Sequence, residues 1–180
     1  MKSIIAVFGS GQIKADDPAY EGAYQTGYAI AQAGFDICNG GYAGTMEASA
    51  HGAKEAGGKT IGIISSELGS VANRWIDEVR VLPTWRERLF ALVDIAKGYV
   101  ILDGATGTLL EFSTVWEMAN KKFHSKPVVI VGSSMQALFH YLNQKEGFVA
   151  NPWIYSAHSA EAMPGVPSSR GSRAHAVGHF

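Results

Sequence analysis

The sequence predicts an α/β fold with a doubly wound, mostly parallel sheet and helices on both of its faces. Short apolar runs rich in β-branched residues alternate with longer segments of helical periodicity. Helices of this length between successive strands require crossover connections, which place neighbouring strands parallel. Glycine clusters follow several of the short runs, where loops leave the carboxyl ends of strands. Together these observations predict a Rossmann-like domain.

Turn and capping residues separate the predicted elements in order. Asp17 and Pro18 supply an N-cap and a first-turn proline for the first helix, which Gly34 ends. Thr84 and Glu87 form a possible capping box at the start of the third helix. The predicted strands cover residues 3–8, 35–38, 60–64, 78–82, 99–102, 127–131 and 153–155. The predicted helices cover residues 18–33, 44–56, 84–97, 108–120, 135–143 and 159–163, and no element is assigned to residues 65–77.

Length and composition are those of one globular domain. The 180 residues are 47% hydrophobic and carry a net charge of −1. A disordered chain is therefore not expected, and no basic excess points to nucleic acid as a partner. We expect a single nucleotide-binding domain over residues 1–163. Residues 164–180 are rich in Pro, Gly, Ser and His, and we expect them to form a flexible tail.

The sequence also bears on compartment and on metals. Cys38 is the single cysteine, which excludes an internal disulfide, and no apolar run reaches the length of a membrane span. We therefore expect a cytoplasmic protein without a membrane partner. His175 and His179 have a spacing suited to metal ligation, but no carboxylate or thiol accompanies them, so no metal site is predicted.

Three glycine-rich segments follow predicted strands, at residues 9–11, 40–44 and 104–108. The carboxyl ends of parallel strands form the ligand-binding crevice of open α/β sheets. Glycine lets backbone N–H groups approach an anion closely, and a helix N-terminus adds a favourable dipole. These loops therefore predict a site for a nucleotide 5′-phosphate.

Two familiar nucleotide fingerprints fail on these residues. Gly9-Ser10-Gly11 begins like a dinucleotide motif, but Lys14 stands where the third glycine belongs. Gly57-Gly58-Lys59-Thr60 imitates the end of a Walker A loop, but Ala53 replaces its leading glycine. That segment also runs from a helix into a strand, which is the wrong order.

The segment from Asp103 to Glu111 combines a phosphate loop with a carboxylate. Thr108 and Glu111 fit a capping box, in which Glu111 would only accept a backbone hydrogen bond. At about 100° per residue, however, Glu111 points into the apolar arc of the helix, between Val115 and Met118. A carboxylate aimed inward is costly unless it is paired or functional.

Arg88 is the expected partner of Glu111. We expect both residues in the first turns of helices that flank one strand. A salt bridge between them would be purely structural or part of a catalytic site, and the residues alone leave both open. Arg88 lies at the edge of a predicted buried stripe formed by Trp85, Leu89, Leu92, Val93 and Ala96.

Four segments give the chain a family resemblance. Residues 103–111 match the motif P-G-G-x-G-T-x-x-E, Glu87-Arg88-Leu89 matches E-R-K, residues 39–46 match G-G-G-x-x-G-x-M, and Gly9-Ser10 matches an early Gly-Ser pair. In this order and spacing the sequence resembles the LOG family, the cytokinin riboside 5′-monophosphate phosphoribohydrolases. The resemblance runs through residues 1–148.

The resemblance implies hydrolysis of the N-glycosidic bond of a nucleoside 5′-monophosphate, giving free base and ribose 5-phosphate without a cofactor. Arg88 and Glu111 match the family's catalytic residues. The resemblance also implies a homodimer, for which an exposed Phe90 and the wide apolar arc of the Glu111 helix are further signs. The residues implied in substrate and phosphate binding are Gly9, Ser10, Gly41, Gly44, Met46, Gly104, Thr106, Gly107 and Thr108.

The departures from the family motifs keep a second function open. Asp103 replaces a proline, Ala105 and Asn39 replace glycines, and Leu89 replaces a lysine. Asp103 would place a negative charge near the phosphate unless it turns away. The alternative is a non-catalytic carrier of a nucleotide or of a molybdenum-cofactor-like phosphate ligand. A pyridoxal-phosphate decarboxylase is not supported, since nothing marks a Schiff-base lysine.

Overall fold

The computed structural model describes residues 2–69, 71–145 and 151–157, and its strands alternate with helices as predicted. The strands are β1 (Ile4–Phe8), β2 (Asp36–Asn39), β3 (Thr60–Ser65), β4 (Glu78–Leu82), β5 (Gly98–Ile101), β6 (Val128–Ile130) and β7 (Ile154–Ser156). The helices are α1 (Pro18–Gln32), α2 (Thr45–Glu55), α3 (Trp85–Ile95), α4 (Thr106–Asn120) and α5 (Ser133–Asn143), with a 3₁₀ turn at Ser66–Leu68.

One sheet joins these strands in the order β4-β3-β2-β1-β5-β6-β7, and every neighbouring pair is parallel. The Rossmann-like fold class is therefore confirmed. The chain winds outward from β1 to β4, returns to the middle, and continues from β5 to β7. Because the winding direction reverses between β1 and β5, the loops that leave these two strands separate and open a crevice at their carboxyl ends.

The central strand β1 shows how the core divides into two layers. Ile4, Ala6 and Phe8 pack with residues of α3, α4 and α5 on one face. Ile5 and Val7 pack with residues of α1 and α2 on the other face. Side chains alternate along a strand, so an unbroken apolar run supplies both layers. No helix within the described residues combines the length and the apolar character that a membrane span requires.

The start of α4 differs from the prediction. The helix begins at Thr106, its N-cap is Ala105, and no side chain of the described residues caps it. The predicted capping box of Thr108 and Glu111 is therefore wrong, because Thr108 already lies within the first turn. For the same reason Glu111 lies in the second turn rather than the first.

In helix α3 the predicted capping box is confirmed, whereas the predicted buried stripe is wrong in part. Thr84 and Glu87 exchange the expected hydrogen bonds. Trp85 is 43% exposed, so its place in the buried stripe is wrong. Its position at the first helical residue turns the ring outward, and its backbone N–H donates to Glu67. Phe90 is exposed as predicted. The predicted helix at 159–163 and the tail at 164–180 lie outside the described residues.

Asp103 connects the loop after β5 to the start of α5. Its Oδ1 accepts hydrogen bonds from the backbone N–H groups of Ser134 (2.8 Å) and Met135 (3.1 Å). Its Oδ2 accepts from the Ser133 hydroxyl at 3.2 Å. The N-cap of α5 is Gly132, which has no side chain to do this. Asp103 therefore caps α5 from another loop, where its charge also favours the helix dipole.

We expect Asp103→Ala to lower the free energy of unfolding by about 1–2 kcal/mol, because the first turn of α5 loses its acceptor and its complementary charge. Asp103→Asn keeps an acceptor and should lose less. Urea unfolding measures both. Asp16→Ala, at an exposed loop aspartate, is the matched control. Equal unfolding midpoints for Asp103→Ala and Asp16→Ala would contradict the capping role.

Candidate active site

A pocket of about 290 Å³ lies at the crevice between the ends of β1 and β5. The loop after β1, the loop after β2 and the start of α4 all contribute to it. Most of the predicted site residues meet there. The lining consists of Gly9, Ser10, Gly11, Gln12, Tyr42, Met46, Leu68, Arg88, Ala105, Thr106, Gly107, Thr108 and Glu111.

The N-terminus of α4 forms one wall of this pocket. Its first-turn backbone N–H groups, of Thr106, Gly107 and Thr108, have no acceptor within the helix. With no side-chain cap among the described residues, they remain available to an anion. Asp103 does not oppose an anion here, since its carboxylate is directed to α5. The expected conflict between Asp103 and a phosphate is therefore absent from this part of the structure.

The guanidinium of Arg88 is buried, and three neighbouring residues determine its position. Its Nε donates to the carbonyl oxygen of Ile63 on β3 at 2.9 Å. Its Cζ lies 5.3 Å from the centre of the Tyr42 ring, at cation–π distance. A Cβ on Gly40 would stand 1.9 Å from the Arg88 Nη2, so only glycine leaves room for it there.

Glu111 projects into the pocket opposite Arg88. The shortest distance between them, from Nη1 to Oε1, is 3.8 Å, which is an ion pair without a hydrogen bond. The Glu111 side chain is 13% exposed. Burial raises the pKa of Glu111 to about 7, although the Arg88 charge acts to lower it. The carboxyl group therefore gains or loses a proton near neutral pH, which suits acid–base chemistry.

The loop between β2 and α2 is held by Asn39, which replaces a family glycine. Its Oδ1 accepts from the backbone N–H of Gly41 at 2.8 Å, and its Nδ2 donates to the carbonyl of Met46 at 2.8 Å. Gly44, the N-cap of α2, has a φ of 68° and lies against the backbone of Ser10. A side chain there would be strained and would collide with Ser10.

Three predicted binding residues lie behind the lining. Gly41 packs on Gly62 in β3, and Gly44 packs on the loop after β1. Gly104 faces Thr108, whose Oγ1 would be 2.1 Å from a Cβ on Gly104. The structure thus places all three where they shape the loops of the pocket.

The prediction missed several residues of this site. Gly40 and Tyr42 stand within the matched segment 39–46, so the motif itself contained the signal. Gly11 belongs to the predicted glycine-rich loop at residues 9–11, directly after the predicted binding residues Gly9 and Ser10, and Gln12 follows that loop. Leu68 belongs to residues 65–77, where the sequence shows no pattern. Within residues 2–69, 71–145 and 151–157, no group of three His, Cys, Asp or Glu side chains could hold a metal ion.

Sequence relatives cover much of the chain. It is 30% identical over 127 residues to an uncharacterized protein of Archaeoglobus fulgidus, covering 71% of this chain and 82% of that protein. It is 34% identical over 112 residues to the cytokinin riboside 5′-monophosphate phosphoribohydrolase of Mycobacterium tuberculosis, covering 61% of this chain. That alignment spans 60% of the mycobacterial protein.

The chain is also similar in structure to proteins whose structures have been solved. The molybdenum cofactor binding protein of Rippkaea orientalis superimposes with a TM-score of 0.71 and 29% identity, covering 89% of this chain and 92% of that chain. The Moco carrier protein of Chlamydomonas reinhardtii gives 0.66 and 28%, covering 89% and 91%.

The resemblance to LOG proteins is confirmed by these comparisons. The profile of the SLOG cluster4 family matches residues 2–157, which include both helices of the candidate ion pair and all the glycine loops. The chain belongs to the SLOG cluster4 family.

Proposed function

We propose that the protein hydrolyses the N-glycosidic bond of a nucleoside 5′-monophosphate, giving the free base and ribose 5-phosphate. The observation that supports this is the placement of Glu111. A buried carboxyl group with a pKa of about 7 shares one pocket with an uncapped helix N-terminus and with Arg88. The mycobacterial relative named as a phosphoribohydrolase supports the same reaction.

In this proposal the 5′-phosphate binds at the start of α4. The N–H groups of Thr106, Gly107 and Thr108 donate to its oxygens, and the helix dipole favours its charge. Gly9, Ser10 and Met46 line the same pocket and contact the ribose side of the substrate. The phosphate thereby holds the sugar beside the carboxyl group of Glu111.

Glu111 acts on the ribose. As the C1′–N bond breaks, its electron pair leaves with the base and positive charge develops on C1′ and the ring oxygen. The ionised carboxylate stabilises that charge and orients a water molecule, whose oxygen bonds to C1′. The proton that water releases balances the one the departing base takes up. Arg88 keeps Glu111 in position and favours its charged form.

A carrier function is the second candidate, because the two named molybdenum cofactor proteins match almost the whole domain. In a carrier, the same helix N-terminus would hold a phosphate of the ligand, and Glu111 and Arg88 would bind without turnover. Native mass spectrometry of the purified protein separates the two. A co-purified phosphate ligand that stays intact on incubation favours the carrier.

We also propose that the protein is a cytoplasmic homodimer paired through α3 and α4. Phe90 on α3 is 46% exposed and Leu110 on α4 is 37% exposed, so both helices present apolar side chains outward. Sedimentation velocity at micromolar concentration should give a dimer. A monomer under these conditions would remove this part of the proposal.

Glu111→Gln should reduce kcat for AMP or isopentenyl-AMP by roughly 100-fold or more, since the neutral amide cannot stabilise the developing positive charge. Chromatography of the released base measures the rate. Glu117→Gln, at an exposed glutamate six residues further along α4, should retain the wild-type rate. The proposal that the protein is a hydrolase is contradicted if the wild-type protein releases no base from any monophosphate tested.

The raised pKa of Glu111 also predicts a pH-dependent stability difference. The folded-state pKa is about 7 and the unfolded reference is 4.5, so the folded protein binds the proton more tightly. Ionised Glu111 therefore destabilises the fold increasingly as pH rises from about 4.5 to about 7. Glu111→Gln removes this cost, which amounts to about 3 kcal/mol at most.

Urea unfolding at two pH values tests this. At pH 8 Glu111→Gln should be more stable than the wild type, and at pH 5 the difference should be small. Glu117→Gln should show no comparable pH dependence. A stability difference that is the same at both pH values would contradict the raised pKa.

A further inference from the structure

A second cavity, of about 550 Å³, adjoins the candidate active site and has no role in the steps above. Tyr42 lines both cavities, so they meet at one aromatic residue. The start of α2 contributes Met46 to the first cavity and Glu47 to the second. The remaining lining of the second cavity is Ala43, Val71, Asn73 and Arg74.

The first cavity is small for a whole nucleotide. Its volume of about 290 Å³ lies at the lower limit of ordinary ligand sites. In the proposed function, a phosphate at the start of α4 and a ribose beside Glu111 would occupy it. The base would then extend out of this cavity, and the second cavity offers adjoining space.

Two opposite charges line the second cavity, and neither forms an ion pair with the residues that the structure describes. The Glu47 side chain also makes no hydrogen bond within this part of the chain. The Arg74 guanidinium lies over the Trp75 ring at 4.8 Å. Both charges act on one hydroxyl group: burial and then the Glu47 carboxylate raise the pKa of Tyr20, while Arg74 lowers it. Glu47 and Arg74 thus line one cavity with hydrogen-bonding capacity left for a ligand.

The two other polar side chains of this cavity are already engaged, since the Tyr42 hydroxyl accepts a hydrogen bond from the backbone N–H of Ser65 at 3.1 Å. The Asn73 Nδ2 donates to the carbonyl oxygens of Gly41 (3.1 Å) and Tyr42 (2.7 Å). Its Oδ1 accepts from the backbone N–H of Trp75 at 3.0 Å. Recognition of a ligand in this cavity thus depends on one carboxylate and one guanidinium.

We propose that the second cavity receives the base of the nucleotide, that Glu47 and Arg74 read its hydrogen-bonding edges, and that guanine is the base they match best. This inference rests on the proposed function, which places the phosphate and ribose in the first cavity. The base-binding assignment adds a specificity residue, Glu47, to that site.

The chemistry of guanine fits both charged groups. Its N1–H and N2 amino group are adjacent donors, which a carboxylate accepts with two oxygens. Its O6 and N7 are adjacent acceptors, to which a guanidinium donates in pairs. Adenine offers one amino group to the carboxylate and separate single acceptors to the guanidinium. The Tyr42 ring adds an aromatic surface against which a purine can stack.

Steady-state kinetics with GMP, IMP and AMP test the proposal. We expect kcat/KM to be higher for GMP than for AMP by roughly 5- to 150-fold, the range for one bidentate base contact. IMP, which lacks the N2 amino group, should fall between them. Glu47→Gln should lower kcat/KM for GMP roughly 10-fold and change that for AMP much less. AMP turnover equal to or above that of GMP, or equal losses on both substrates in Glu47→Gln, would overturn it.

Ribose 5-phosphate provides the control, because it fills the first cavity and has no base. Its inhibition constant should be the same for wild type and Glu47→Gln, which also shows that the variant folds. Glu117→Gln should keep the wild-type ratio of GMP to AMP. If no monophosphate is hydrolysed, the proposed reaction is wrong. Calorimetric measurement of GMP and AMP binding then tests the base-binding assignment by itself. Tighter binding of GMP than of AMP supports it, and equal, weaker or absent binding of GMP overturns it.

Discussion

A guanidinium group withdrawn from water needs partners that compensate its charge, and Arg88 has them on three other segments. The carbonyl oxygen of Ile63, within β3, accepts its Nε hydrogen, the Tyr42 ring faces its charge, and Glu111 on α4 supplies the counter-charge. Gly40 has no side chain, and this leaves the space that the guanidinium group occupies. The requirement to satisfy one buried cation therefore determines how a strand, a loop and two helices meet. The pocket is the space left between them.

The distance between Arg88 and Glu111 determines how strongly the arginine can offset the cost of burying the carboxylate. A hydrogen-bonded pair would satisfy both charges and hold the pKa of the carboxyl group low. At 3.8 Å the attraction is weaker than the cost of burying the carboxylate, so the pKa of Glu111 is raised to about 7. The carboxyl group is left with unused hydrogen-bonding capacity that faces the pocket. A group in this condition is well suited to contact a substrate and poorly suited to be a structural salt bridge alone.

The sequence predicted the fold because the apolar runs and caps are local signals, and local physics decides them. It predicted the pairing of Arg88 with Glu111 from helical geometry, which needs only each residue's own helix. It failed where the surroundings of a segment, rather than the pattern of the segment itself, determine the structure. Thr108 and Glu111 have the pattern of a capping box, but the loop after β5 allows the helix to begin earlier, at Thr106. The contact of Asp103 with Ser133 and Ser134 joins residues 30 and 31 positions apart, which no local pattern shows.

Asp103 and Gly132 have a consequence for how this sequence can change. A proline at position 103, as in the LOG motif, would remove the cap of α5. A capping side chain at position 132 cannot replace it, because a Cβ on Gly132 would stand 2.3 Å from the backbone nitrogen of Asp103. A single substitution toward the family motif therefore leaves α5 uncapped, and repair requires the two loops to move apart first. The residues at positions 103 and 132 are therefore coupled through the packing of the two loops and the capping of α5.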